Sequence, residues 1–441
     1  MSMKITYLGH AALLVEHAGR TLVMDPWLEE PNYLNSWWHY PPLKLKTDNV
    51  FPVTWTWCSH DHPDHLHPPT LRRIPKDTEF LVPQYKSKSV ETHLKELGFE
   101  NQTPLVFGDS LDLGDGLTVR CLRTDLIWED AALIVSDGET TLFNMNDCKL
   151  GQGLLEQIGR EHRIDIAFLP FSGAIHFPTC YDYSDDVKRK LCAKRRRGHL
   201  EAFVERAVWL QAKRAVPFAG NFCLPAPEQQ WMNEINNINT PDEAAALLAE
   251  QHPEIEGVQM NPGDTWTAQD GLQRLEPAPD FSKRLEHIQE IGRARAEEIA
   301  AIRASEPPAR PSLPQDFRSF FEDIARRQPD IIGLIDATVC WQVEGDHGGT
   351  WTTAFRPSGL DVRDGDDGTW NLKITVDDHI LQQGIDGTAC WDEVFISFRL
   401  KLAENPEFFN EPFFAMLYNS GDLFLEDYLE RRRGEAETTA P

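Results

Sequence analysis

Three histidines and two aspartates fall within six residues at His60-Asp61-His62-Pro63-Asp64-His65, directly after the apolar run from Phe51 to Trp57. A hydrophobic core has no use for such a density of ionisable groups, because each is costly to bury without a partner. The physical reading is a metal site at the end of a strand. Residues two apart in an extended segment project to the same side. His60 and His62 are therefore placed to grip one ion, and Asp64 with His65, where the chain turns, to grip a second. Imidazole combined with carboxylate suits Zn, Fe or Mn rather than Ca or Mg. The competing reading is a solvated polar loop that carries histidines by chance.

The surroundings add to the pattern. Tyr7-Leu8-Gly9-His10-Ala11 opens the chain, and Thr21-Leu22-Val23-Met24-Asp25-Pro26-Trp27 follows. Asn144-Met145-Asn146-Asp147-Cys148 comes after the apolar runs Ala131 to Val135 and Thr140 to Phe143. The spacing H-x-H-x-D-H, with these flanks, resembles the metallo-β-lactamase superfamily. The resemblance implies that the two opening segments are the first strands of that fold, and that Asp147 bridges two metals. It can be narrowed. Asp25-Pro26-Trp27-Leu28, Trp37-Trp38, Ser59 to Leu66 with Pro69-Thr70-Leu71, Asn146-Asp147-Cys148, Phe171-Ser172-Gly173-Ala174 with Phe177-Pro178, Pro217-Phe218-Ala219-Gly220 and Asn261-Pro262-Gly263-Asp264 are similar to the hydrolase-fold domain of the CMP-N-acetylneuraminate hydroxylase branch. The likeness covers most of residues 1–275 and, more weakly, 315–420. The motif is specific for fold and poorly specific for reaction.

Two departures from the superfamily pattern bear on the site. The superfamily supplies a further histidine ahead of the bridging aspartate, whereas here no histidine lies between His93 and His162. Asp125 is the candidate replacement, with Glu129 and Asp130 behind it. A carboxylate there makes the site harder and more anionic, favouring Fe or Mn over Zn. Near the end of the domain, where many relatives carry another histidine, this chain has Asn221. His176 could take over as a ligand or as an acid/base, although a lone loop histidine is more often a structural residue. The sialic-acid hydroxylase also carries a Rieske domain, which needs two Cys-x-His or Cys-x-x-His pairs. Only Cys58-Ser59-His60 has that spacing, and His60 is committed elsewhere. No built-in electron relay is expected, so electrons for an oxygenase would come from a separate donor protein or from the substrate.

Composition sets the remaining bounds. At 441 residues the chain is long enough for two or three domains, and its formal charge of −27 argues against nucleic acid or an anionic membrane as partner. No stretch reaches transmembrane length. The N-terminus runs straight into a strand, which argues against a signal peptide. Eight cysteines without metal-like or disulfide-like spacing suit a reduced, cytoplasmic setting. One basic cluster stands out: Lys188, Arg189, Lys190, Lys194, Arg195, Arg196 and Arg197, with His199. It could steer an anionic small-molecule substrate, with Arg195, Arg196, Arg197 and Trp38 as the substrate-binding candidates. The alternative is a solvated helix face paired with local acids. Trp37, Trp55, Trp57 and Trp128 could wall a pocket or serve as core, and Cys148 reads as packing.

The expected fold class is α/β (α+β). An αββα metallo-β-lactamase sandwich spans residues 1–275, a charged helix and Pro-rich linker spans 276–315, a smaller α+β domain spans 316–431, and a disordered tail spans 432–441. Strands are expected at 4–15, 21–24, 53–58, 80–82, 117–121, 131–135, 140–144, 164–169 and 215–218, and helices at 88–97, 151–160, 185–213, 226–236 and 241–250. Thr240-Pro241-Asp242-Glu243 reads as a helix start. A charged helix is expected over 281–304. In the second domain, 317–327 and 391–402 read as helices, and 331–343, 350–356, 359–362, 370–376 and 380–384 as strands. This domain resembles the sterol-carrier-like module, here serving as a lid or a homodimer contact.

Three functional readings compete. In the first, His60, His62, Asp64, His65 and Asp147, completed by Asp125, hold one or two irons in an oxygenase or hydroxylase that uses O2. In the second, a hydrolase uses a metal-activated water on an ester, lactone, amide or phosphoester, with Asp64 as base. In the third, the metal is a structural clip in a binding protein. The carboxylate-rich site and the branch resemblance favour the first, with Fe ahead of Zn or Mn and with Asp64 and His176 as catalytic candidates.

Overall fold

The computed structural model describes residues 2–124, 129–405 and 409–418, which form two compact units. Met1–Asn32, Trp37–Ala174 and Lys190–Arg293 make the first, and Tyr33–Ser36, Ile175–Arg189 and the chain from Ala294 make the second. Asp125, Trp128 and the expected tail at 432–441 lie outside the described residues. No helix among the described residues is long and apolar enough to cross a membrane.

The first unit is built on two sheets. One has eight strands, in the order Gly271–Gln273, Thr265–Thr267, Lys4–Gly9, Ala12–His17, Arg20–Met24, Trp55–Trp57, Glu79–Pro83 and Gln102–Leu105. The other has seven, in the order Glu256–Gly257, Arg214–Phe218, Ile166–Pro170, Thr141–Asn144, Ala131–Ser136, Leu117–Arg123 and Ser110–Gly114. Ile5, Leu13, Leu22, Trp57 and Phe80 of the first sheet meet Leu133, Leu142, Phe168 and Val216 of the second in one buried cluster. Ala132, Ile134, Phe143 and Ala167, pointing the other way, pack under Leu155, Phe203, Ala207 and Leu248 of the helices Gln152–Glu161, Asp185–Trp209 and Pro241–Gln251. Alternation along each strand thus feeds two apolar layers at once. The sandwich is the fold of the metallo-β-lactamase class that the motif implied.

Several strands run parallel: Arg20–Met24 beside Trp55–Trp57 in one sheet, and Thr141–Asn144 beside Ile166–Pro170 and Arg214–Phe218 in the other. Asp25, the 60–65 motif and Asp147 all lie just beyond the carboxyl ends of these strands.

Three local expectations are corrected, two within this unit and one where the chain leaves it. Lys4 to Val15 is not one strand but a hairpin, with Gly9 paired to Ala12 around His10 and Ala11. Gly9 has φ 145° and His10 φ 46°, and a Cβ on Gly9 would stand 2.6 Å from Leu43 Cδ2, so the turn requires glycine there. Residues 226–236 form only a short 3₁₀ turn, Gln230–Asn233. Asn233 accepts from the Leu224 amide at 3.0 Å and donates to the Leu224 carbonyl at 2.7 Å, a side-chain alternative to helix hydrogen bonding. The capping box of Thr240 and Glu243 does start a helix at Pro241. The charged helix expected over 281–304 is instead a 3₁₀ turn followed by Arg284–Ala294 and Ala296–Ala304, interrupted at Arg295.

The second unit carries a five-stranded sheet in the order Gly359–Asp364, Gly349–Arg356, Thr338–Glu344, Leu372–Asp377 and Leu400–Glu404. Leu313, Phe317, Phe321 and Ile324 form the buried face of helix Leu313–Arg327. Three expectations fail here. Residues 329–335 are helical, started by Pro329 at its first turn and stopped at Asp336 with φ 37°. Asp378–Asp386 is a helix stopped by Gly387 at φ 70°, not a strand. The helix from Trp391 ends at Ile396, and Leu400–Glu404 is a strand. In each case a short apolar run fits both periods, and the stop signal decides.

Glu393 in this unit accepts from the Leu34 amide at 3.2 Å, and burial pushes its carboxyl up to about 7. In the unfolded chain the same group ionises near 4.5. Between these values the unfolded state loses the proton and the folded state keeps it, so stability falls as pH rises from about 4.5 to about 7. Glu393→Gln should flatten this part of the thermal-midpoint profile, a change worth up to roughly 3 kcal/mol. An identical profile in the variant would contradict the assignment.

Candidate metal centre

Every donor of the centre is held by a turn at a strand end. The chain bends immediately after Trp57, and His65 and Leu66 both donate from their amides to the His62 carbonyl, at 3.0 and 2.8 Å. The 60–65 stretch is therefore a compact turn rather than an extended segment, and the pairing of donors differs from the period-two expectation. Ligand atoms of His60, His65 and Asp147 lie within 4.8 Å of one another, and so do those of His10, Asp64 and His65. His62 stands beside His60 with ring centroids 4.4 Å apart. Asp147 arrives on the loop after Thr141–Asn144, where Asn146 takes φ 54°.

Close polar contacts set the rings, with Ser59 Oγ 3.4 Å from His65 Nδ1. His65 Nδ1 lies 3.2 Å from Asp25 Oδ2, and the other oxygen of that wholly buried carboxylate accepts from the Ser59 amide at 2.7 Å. A carboxylate only accepts at neutral pH, so Nδ1 carries the proton and Nε2 is left for a ligand. That Nε2 is buried without a hydrogen-bond partner, 3.4 Å from Asp64 Oδ2 and 3.5 Å from Asp147 Oδ2. His60 Nδ1 similarly faces Ser59 Oγ at 2.9 Å and Asp130 Oδ1 at 3.3 Å. Such outer carboxylates fix the tautomer and orientation of metal-binding histidines. An orphaned buried imidazole nitrogen between two carboxylates fits a cation, and so does the mixed nitrogen and oxygen donor set.

The electrostatics agree. Burial would raise the Asp64 carboxyl, but His65 and His10 beside it hold it well below its usual range. Burial would lower His65, yet Asp64, Asp25 and Asp147 hold it well above the ordinary imidazole value, as expected where a positive charge belongs. The Asp147 side chain is 41% exposed, against 4% for Asp64 and none for His65, so the group opens on the Asp147 side.

The remaining candidates fall in several places. Trp38 is buried and pairs with Cys223 across a two-stranded ladder. Arg196 binds Asn239 at 3.1 Å and Glu243 at 2.6 Å, and Arg197 binds Glu201 at 2.6 Å one helical turn on. These two make the local pairs expected of a charged helix face. Arg195 is different: burial lowers its guanidinium, as it does that of Arg206. His199 lies on the same face, its imidazole pushed down to about 4 by burial and by Arg195. His176 sits in the second unit, buried among the rings of Tyr181, Phe395 and Phe414. Cys148 is buried, with its thiol donating to the Asp130 carbonyl at 3.5 Å.

Sequence reasoning passed over His10 and Asp25 as members of the centre. Asp25 carried a signal, a carboxylate directly after an apolar strand. His10 was hidden inside an apolar run.

Residues 4–186 match the β-lactamase superfamily domain. The chain carries a β-lactamase superfamily domain. It is 29% identical over 376 residues to a protein of Mycolicibacterium smegmatis named for a Rieske 2Fe-2S centre, covering 80% of this chain and 72% of that one. A similarly named protein of Mycobacterium tuberculosis is 30% identical over 277 residues, covering 60% of this chain and 53% of its own length. The cytidine monophosphate-N-acetylneuraminic acid hydroxylase of Danio rerio is 29% identical over 257 residues, covering 55% of this chain and 42% of the hydroxylase. The chain thus spans about half the length, or less, of the last two relatives. Within the superfamily it is similar to the branch that includes these hydroxylases.

Proposed function

We propose that the chain is a metal-dependent oxygenase that hydroxylates a small anionic substrate. His60, His62, Asp64, His65 and Asp147 would hold one or two iron ions, with Asp125 completing the set. The similarity to a hydroxylase, joined to a donor set rich in carboxylates, carries this reading. Bound iron would supply the redox chemistry that reduces O2, with electrons from a separate donor protein or from the substrate.

The chain's own residues supply the rest. Asp25 and Asp130 keep the protons of His65 and His60 on Nδ1, so both rings offer Nε2. His60, Asp64 and His65 are buried away from bulk water, whereas His62 and Asp147 are partly exposed and leave the centre open on their side. Arg195 and Arg206, on one face of the same helix, offer positive charge for an anionic group, with the neutral His199 imidazole between them.

The test is product analysis with CMP-N-acetylneuraminate, the compound that names the relative, as the first trial substrate. Iron-loaded protein with a reductant and O2 should yield a product heavier by one oxygen atom. The competing hydrolase reading predicts instead that zinc-loaded protein cleaves an ester or lactone without O2, and that result with no oxygenated product would overturn the proposal.

A further inference from the structure

His10 is buried at 3% exposure, at the tip of the hairpin that opens the chain. Its ring is held by Trp27, with centroids 5.2 Å apart, and by Trp37 at 6.2 Å. Its Nδ1 lies 3.3 Å from the Asn221 main-chain carbonyl oxygen. In the tautomer that donates from Nδ1 to this carbonyl, Nε2 presents a lone pair. That lone pair faces Asp64 Oδ2 at 2.8 Å, which is also an acceptor. Two acceptors at this distance repel unless something positive lies between them.

From these contacts we infer that His10 is a direct ligand of the ion held by Asp64 and His65, an inference that rests on the metal-centre reading above. His65 Nε2, buried without a hydrogen-bond partner, lies 3.4 Å from the same Asp64 oxygen. One divalent ion answers all three groups together, and their donor atoms already lie within 4.8 Å of one another. The turn is built to hold the ring there: Gly9 leaves no room for a side chain against Leu43 and His39, and Tyr7 Oη donates to the His10 carbonyl at 3.2 Å.

Co(II) is the probe, titrated into chelator-treated full-length protein, with ions per chain and dissociation constants read from elemental analysis and the Co(II) absorption spectrum. Wild type should bind two ions. His10→Ala should bind one, or bind the second at least tenfold more weakly, with a changed spectrum. His10→Gln separates the roles, since its amide can still donate to Asp64 but offers no imidazole nitrogen. Ligation by His10 predicts that Gln fails to restore the second ion, and restoration by Gln would overturn it in favour of a positioning role. Unchanged binding in His10→Ala would also overturn it, with the centre intact. A wild type that binds no Co(II) would overturn the metal-centre reading and this inference with it. Thermal midpoints measured in chelator identify any variant that fails to fold, and His10→Gln then carries the test.

Discussion

His65→Ala should empty the whole centre, whereas His60→Ala should disturb only part of it. His65 is the one residue common to both donor groups among the described residues, so its loss opens a gap beside Asp64, Asp147 and His60 alike. Metal retained after dialysis should fall to below about a tenth of the wild-type content, because ligand binding and site formation are coupled. The change also strips the buried Asp25 carboxylate of its partner. Removing one member of a buried pair costs about 3–5 kcal/mol, so the metal-free variant should melt well below the metal-free wild type. Elemental analysis and calorimetry check the two effects separately. Full metal content in His65→Ala would remove the central residue from the account.

Asp25→Asn should weaken metal binding by about 10–100-fold without any change in the ligands themselves. The Asp25 carboxylate uses one oxygen for the Ser59 amide and the other for His65 Nδ1. An asparagine has one oxygen, so it cannot accept from both. If the oxygen stays with Ser59, its amide donates to His65 Nδ1, moves the ring proton to Nε2 and points that proton at the metal position. If it turns to His65, its amide meets the Ser59 N–H and loses that hydrogen bond. Either arrangement spoils the ligand tautomer or the turn. Competition titration against a chelator of known affinity measures the loss, and an unchanged constant would show that Asp25 merely fills space.

The candidate centre could be picked out because its densest element is local. Six consecutive residues hold His60, His62, Asp64 and His65, and Asp147 follows an apolar strand in the same way. The fold class was legible for a related reason, since alternating apolar runs and a capped helix at Thr240 are local patterns. What was lost depended on turns inside apolar runs. Ile5 to Val15 is buried almost throughout, and Gly9-His10 is too short a break in that apolar run to set the bend apart or to single out the ring it carries. Ile331 to Ile335 is likewise apolar at both helical and strand spacing, and only Pro329 and the left-handed Asp336 separate the two. The pairing of donors was out of reach for another reason. It follows from a turn closed by main-chain hydrogen bonds at His62, where period-two geometry does not apply.

The central claim is that this cluster is an iron centre that reacts with O2. The most direct test is metal identity and stoichiometry on anaerobically prepared full-length protein, by elemental analysis with Mössbauer spectroscopy before and after O2. The account predicts one or two ferrous ions per chain that are oxidised when O2 is admitted. Tightly held zinc with no response to O2 would contradict it and leave hydrolysis as the chemistry of the site.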